Sequence, residues 1–325
     1  MNDALRAYFY DAEGQDREVP LEPGLLDQVG DTALLWVDIE ARNAEQLREV
    51  FRTLALDRRL ISAITASRYE FRVENYGDYR YFAVCVAPLP EQESESSTRL
   101  DFVVGANWLV TVRHGPVGFL QGFRDQDKGE TRTGALGAAA FAASLLDWHL
   151  EGYFSLVAQI ESAIDELDDR ILAAPSSEAL LGEILKIRRR VSSLRRLLAD
   201  QRPVFYGLGR PDVVAEADHF DDDSAARLVA RYERALDEIE RARELVLGSF
   251  DLLTSRVGQL TNELVKALTF FTVIIGTAAA IAGLFGMNFK TPFFETGERG
   301  FYTIVASMLA FALGSFLWAR HKRWL

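Results

Sequence analysis

Cysteine is nearly absent from this 325-residue chain: Cys85 stands alone, so no intramolecular disulfide and no CxxC metal site can form. The four histidines, His114, His149, His219 and His321, are far apart, and none shows the HExxH or H-x3-H spacing that puts two imidazoles on one helix face. A Walker A loop, a GxGxxG turn and a nucleophile elbow are also missing, so no catalytic constellation points to an enzyme. Positive charge is in short supply. The 36 Lys and Arg face 48 Asp and Glu, a formal net charge of -12. Phosphate backbones need a basic surface, which excludes a nucleic-acid partner, whereas an acidic body attracts cations. The first twenty residues lack a basic segment followed by an apolar one, so no signal peptide is expected and the soluble part is expected in the cytoplasm.

What is present is unevenly distributed. Charged residues make up 26% of the chain, yet its mean hydropathy is near zero, because a charged first part is joined to an apolar last part. The first part reads as mixed α and β. Leu5–Tyr10, Ala33–Ile39, Tyr79–Ala87, Leu100–Val104 and Trp108–Arg113 carry the β-branched and aromatic residues of strands, with Gly105-Ala106-Asn107 as a turn. Asn43–Leu56 and Asp57–Ala66 read as helices with Asn43 and Asp57 as caps, and Pro90–Thr98 as a polar loop.

From Ala135 the pattern is helical. Ala135–Ala174 and Ser177–Gln201 form a pair, and Arg202–Pro211 is read as a break. No proline lies between Pro211 and Pro292, so one helix can run from about Asp221 to Gly286. At 1.5 Å per residue it would be on the order of 100 Å long. Two uncharged runs, 267–287 at the end of that helix and 300–319 after it, are each long enough to cross about 30 Å of hydrocarbon. The basic cluster Arg320-His321-Lys322-Arg323 places both ends of the chain in the cytoplasm by the positive-inside rule. The expected segments are an α/β domain over 1–134, a helix pair over 135–211, a stalk helix over 212–266 and a transmembrane domain over 267–325.

Steps of three and four along the long helix trace two stripes. The first, Val229, Tyr232, Leu236, Ile239, Arg243, Val246, Phe250, Leu253, Val257, Leu260 and Leu264, is apolar except at Arg243 and predicts a coiled-coil-like seam. The second, Asp251, Ser255, Gly258, Asn262, Val265, Thr269, Thr272, Gly276, Ala279 and Gly283, stays small or polar through the bilayer stretch, where lipid favours Leu, Ile or Phe. Small residues let helices pack closely, which is one reading. The other is a water-filled pore lined by this helix, which requires several copies, because two spans cannot enclose a channel.

The segment Thr261–Asn288, TNELVKALTFFTVIIGTAAAIAGLFGMN, followed by a short loop, a second span and KRWL, resembles the CorA superfamily of divalent-cation channels and transporters, whose signature is the tripeptide Gly286-Met287-Asn288. The resemblance is close from about Ser249 onward and rests on architecture before that. It implies an α+β fold class, in which an α/β/α sandwich precedes a stalk helix and a two-helix transmembrane domain in a homopentameric funnel. Asn288 would ring the outer mouth with Gly286 and Met287 shaping the turn, Asn262 would form a second polar ring, and Asp251 an acidic one at the neck. Magnesium holds its water tightly and favours oxygen ligands, so amide rings can hold its hydration shell weakly enough to release it. The implied substrate is a divalent ion, Mg2+ or Zn2+ with Co2+ or Ni2+ as relatives, and no cofactor is implied.

Three departures set the chain toward the divergent, ZntB-like side of the superfamily. Gly276 stands where magnesium channels of the family carry a bulky apolar gate residue, with Thr277 at the neighbouring proline position, leaving Val265 and Leu268 as apolar constrictions. Arg227 aligns with the family's magnesium-sensing carboxylate. The loop Phe289–Arg299 balances Lys290 and Arg299 against Glu295 and Glu298. Asp218, His219 and Asp222 cluster where the stalk starts and are read either as helix capping or as a cytoplasmic metal site. The rival to transport is a membrane-anchored metal-sensing or scaffolding protein that keeps the fold without conducting.

Overall fold

The computed structural model describes residues 5–11, 13, 16–25, 29–30, 33–40, 44–66, 70–87, 97–126, 133–174, 178–210, 222–287 and 297–321. These divide into two compact units, one of residues 1–166 with 182–247 and one of residues 167–181 with 248–325.

The first unit is built on a seven-stranded mixed sheet. Its strands are β1 (Leu5–Asp11), β2 (Arg17–Val19), β3 (Ala33–Glu40), β4 (Glu74–Asn75), β5 (Arg80–Val86), β6 (Thr98–Val104) and β7 (Trp108–Arg113). Their order is β2-β1-β3-β7-β6-β5-β4, antiparallel except for the central β3–β7 pair. The five strands expected from β-branched and aromatic runs are present. β2 and β4 are too short, at three and two residues, to leave a sequence pattern.

Alternation along β3 divides the core. Leu35, Val37 and Ile39 join one buried cluster with Phe51 of α1 (Ala44–Thr53), Leu54 in the turn after it, and Leu60 and Ile64 of α2 (Arg58–Thr65). On the other face the Trp36 ring meets Phe123 of α3 (Gly118–Gln126) and Phe141 of α4 (Ala138–Ala173) edge-on. Helices thus cover both faces of the sheet, the α/β/α sandwich expected. Asp57 caps α2 by accepting the Arg59 N–H at 2.8 Å.

Two buried polar clusters tie helices to the sheet. On the α1–α2 face, Arg99 donates to Asp101 at 2.6 Å and to the Ala63 carbonyl at 2.9 Å, and the Tyr81 hydroxyl donates to Asp101 at 2.7 Å. His114 closes the cluster 2.8 Å from the second Asp101 oxygen. Elsewhere, β4 reaches only Arg80 and Tyr81, and among the described residues no strand pairs with β5 at Cys85 on that edge. The Gln201 amide takes that place: Oε1 accepts the Cys85 N–H at 3.1 Å and Nε2 donates to the Cys85 carbonyl at 3.1 Å. This two-point match orients the amide, so the fully buried His149, 3.1 Å from Oε1, donates through Nε2. Burial pulls the His149 pKa down to about 4 against that hydrogen bond, keeping the ring neutral.

The remaining helices are α5 (Glu178–Asp200), α6 (Arg202–Gly207), α7 (Asp222–Phe285) and α8 (Gly297–His321). Arg202–Pro211, read as a break, is in part α6: Pro203 sits in its first turn, where the missing N–H costs nothing. The helix that carries the second apolar run begins before it, at Gly297, and ends at His321.

Candidate ion-conduction face of the long helix

α7 runs unbroken for 64 residues, about 96 Å at 1.5 Å per residue. Its first half is held by the helices before it. Tyr232 donates to the Leu198 carbonyl at 3.1 Å and stacks on Phe205 with centroids 4.5 Å apart. Arg231 pairs with Asp147 at 2.8 Å and with Glu151, and Arg195 reaches Glu240 at 2.9 Å.

The buried positions here are Ala225, Leu228, Tyr232, Ala235, Ile239, Ala242, Val246, Ser249 and Leu253, spaced alternately by three and four. This corrects the expected seam. Tyr232, Ile239, Val246 and Leu253 belong to it, but its second column is Leu228, Ala235, Ala242 and Ser249. Val229 and Leu236 are half-buried, and Arg243, Phe250, Val257, Leu260 and Leu264 are exposed. Ala235, Ala242 and Ser249 make most of this column small, whereas a size-weighted sequence pattern favours bulkier residues.

Beyond Leu253 only Phe270 among the described residues of α7 is buried, and the uncharged run begins at Ala267. Arg256 still donates to the Leu172 carbonyl at 3.0 Å, but the apolar window of α7 is 6% buried within the chain and that of α8 not at all. Both helices are long and apolar enough to cross a membrane. The least exposed face of α7 here is Ala267, Phe270, Ile274, Thr277, Ala278 and Ile281.

The expected pore stripe lies elsewhere. At 100° per residue, Val265, Thr269, Thr272, Gly276, Ala279 and Gly283 centre about 170° round α7 from that face. All six are exposed, as are Asp251, Ser255, Gly258, Asn262 and Leu268. A Cβ placed on Gly258, Gly276 or Gly283 would meet nothing within 4 Å. Packing inside one chain therefore gives no reason for these residues to be small. Thr272 returns its hydroxyl to the Leu268 carbonyl at 2.8 Å, so the stripe keeps a polar group without an unmet donor.

At the far end of α7, the Gly286 N–H donates to the Ala282 carbonyl at 2.9 Å. A Cβ on Gly286 would stand 3.2 Å from that same oxygen, tight against backbone, which accounts for glycine at this turn. Met287 follows in a bend. Asn288 lies outside the described residues, as do Asp218 and His219, while Asp222 is the first residue of α7. Among the described residues no group of three or more His, Cys, Asp and Glu side chains could hold a metal ion. Arg227 donates to the Ser224 hydroxyl at 2.7 Å. It lines a cavity of about 710 Å3 together with Arg231, Arg234 and Asp147, a lining that repels cations.

An α/β/α body and a proline-free helix that continues into the first of two apolar C-terminal helices define a class of stalk-bearing membrane protein. Within that class, the chain belongs to the CorA-like Mg2+ transporter protein family, which matches residues 31–321. It is similar to the cobalt/magnesium transport protein CorA of Thermotoga maritima, 28% identical over 185 residues, 56% of this chain and 51% of that protein. It is also similar to the zinc transport protein ZntB of Yersinia enterocolitica, 23% identical over 201 residues, 60% of this chain and 59% of the other. The chain thus spans between half and three-fifths of the length of these two relatives. In fold it matches the complete CorA magnesium transporter structure from Methanocaldococcus jannaschii with a TM-score of 0.78 at 20% identity, covering all of both chains. The family is one of divalent-cation transporters rather than enzymes.

Proposed function

We propose that copies of this chain assemble around a common axis, as a homopentamer, and conduct a divalent metal ion across the cytoplasmic membrane. The ion is of the magnesium or zinc class, in keeping with relatives named for cobalt and magnesium and for zinc. The observation that carries this reading is the stripe on the side of α7 away from its least exposed face, small without any demand from its own chain. In the assembly it faces the axis. Asp251 and Asn262 form successive rings that attract and hold the hydrated ion, Val265 and Leu268 narrow the path, and Thr269, Thr272 and Gly276 keep the mid-pore wet. Asn288, presented by the Gly286-Met287 turn, binds the hydration shell at the outer mouth, with both chain ends in the cytoplasm. An inside-negative potential contributes about 2.3 kcal/mol per charge per 100 mV, roughly doubled for a divalent ion, so inward flow needs no chemical fuel.

Gly276→Leu tests the stripe. Its Cβ has free space, so the protein should insert and assemble normally, yet a leucine ring would close a pore of this kind. Dye-monitored uptake of Mg2+, Zn2+, Co2+ or Ni2+ into proteoliposomes should fall about tenfold or more. Unchanged uptake would mean that position 276 faces lipid. Asn288→Ala should reduce discrimination among these ions. Absence of flux from the unaltered protein would leave an anchored sensor or scaffold as the reading.

A further inference from the structure

A second cationic site lies in the α/β body, away from α7. α1 ends with Leu56 N–H donating to the Phe51 carbonyl at 2.9 Å and Ala55 N–H to the Arg52 carbonyl at 3.3 Å, a Schellman turn. That turn folds α2 back and opens a cavity of about 550 Å3 between the two helices. Phe51, Leu56 and Ile61 supply its apolar floor, and the guanidiniums of Arg48, Arg52 and Arg58 stand round it with the hydroxyls of Ser62 and Thr65.

Charge makes this cavity unusual for a chain of net charge -12. No carboxylate lines it, and among the described residues none of the three arginines makes an ion pair. Arg48 and Arg52 are four apart and share one face of α1, where like charges destabilise a helix. Arg58 adds a third positive charge from the start of α2, where the helix dipole is also positive. Glu45 and Glu49 precede Arg48 and Arg52 by three residues on α1 and Asp57 precedes Arg58, but among the described residues none of these carboxylates lines the cavity, so an anion there would face guanidiniums. Guanidinium forks match phosphate oxygens two at a time. The cavity is far larger than a phosphate and within the size range of small-molecule sites, and its floor is apolar.

We propose that the α1–α2 corner binds an organic phosphate, with its phosphate oxygens on Arg48, Arg52 and Arg58 and its apolar part over Phe51 and Ile61. This site is independent of the conduction reading and neither needs nor implies ion flux. A soluble nucleotide and an anionic lipid headgroup share the required chemistry.

Calorimetric titration of the purified full chain with ATP in metal-free buffer, and its reconstitution in nanodiscs with and without phosphatidylglycerol, separate the two sources. Saturable binding of ATP that weakens as salt rises, with adenosine inert, assigns the soluble source. A phosphatidylglycerol-dependent rise in melting temperature with ATP inert assigns the lipid. In either case R48Q, R52Q and R58Q should each weaken the effect about tenfold, and R52K should retain part of it. All three side chains are exposed, so the variants should melt like the parent when no ligand is present. No saturable response to either probe, or a response unaltered in the triple variant, would overturn the assignment.

Discussion

Single residues in the α/β body carry more energy than their number suggests. His149 is neutral because burial holds its pKa near 4, while an unfolded imidazole titrates near 6.5. The unfolded state therefore binds the extra proton first as pH falls. The contribution of His149 is complete above about 6.5 and is lost toward 4, a change on the order of 3 kcal/mol. Melting temperatures measured between pH 7 and 4.5 should fall less steeply in His149→Phe, which keeps the aromatic contact with Phe205 but cannot titrate. Ala55 is the one described non-glycine residue in the left-handed region, at φ 55. Ala55→Gly should raise stability by about 0.5–1 kcal/mol, read as a higher melting temperature, since glycine adopts that turn without strain. Asp101 accepts from Tyr81 and Arg99 and pairs with His114 while fully buried. Asp101→Ala would strand the Arg99 guanidinium and should cost about 3–5 kcal/mol, seen as loss of folded protein in a thermal melt.

At the scale of elements, what the sequence reveals depends on whether a pattern is local. The proline-free span between Pro211 and Pro292 predicted α7, and the Asp57 cap predicted the start of α2, because both depend on backbone geometry within a few residues. α6 was hidden by Pro203, a residue that breaks helix interiors yet suits a first turn. The seam of α7 was legible in one column and misread in the other. Ala235, Ala242 and Ser249 are buried by other parts of the fold, information that lies outside α7 itself. The small, polar stripe was legible in full as a pattern. That it turns away from the least exposed face of α7 was not, since a helix sequence alone does not say which side its neighbours take.

For the whole molecule, the exposed apolar surface of α7 and α8 suits a lipid environment, and the proposed assembly adds a test of its own. Light scattering on the detergent-solubilised protein, corrected for bound detergent, should give five times the 36.4 kDa chain mass if the pentameric reading holds. A monomer that persists across mild detergents and lipid nanodiscs would remove the shared axis on which conduction depends.

Composition and periodicity by themselves determined that this chain has an acidic α/β body, a long uninterrupted helix and two apolar helices at its end. These follow from backbone propensity and transfer from water, properties each segment carries alone. The tertiary structure decided which column of α7 is buried, how Gln201 meets the edge of β5 at Cys85, and which three arginines line one cavity between α1 and α2. Those outcomes depend on residues distant in sequence meeting in space, and no local pattern encodes such meetings.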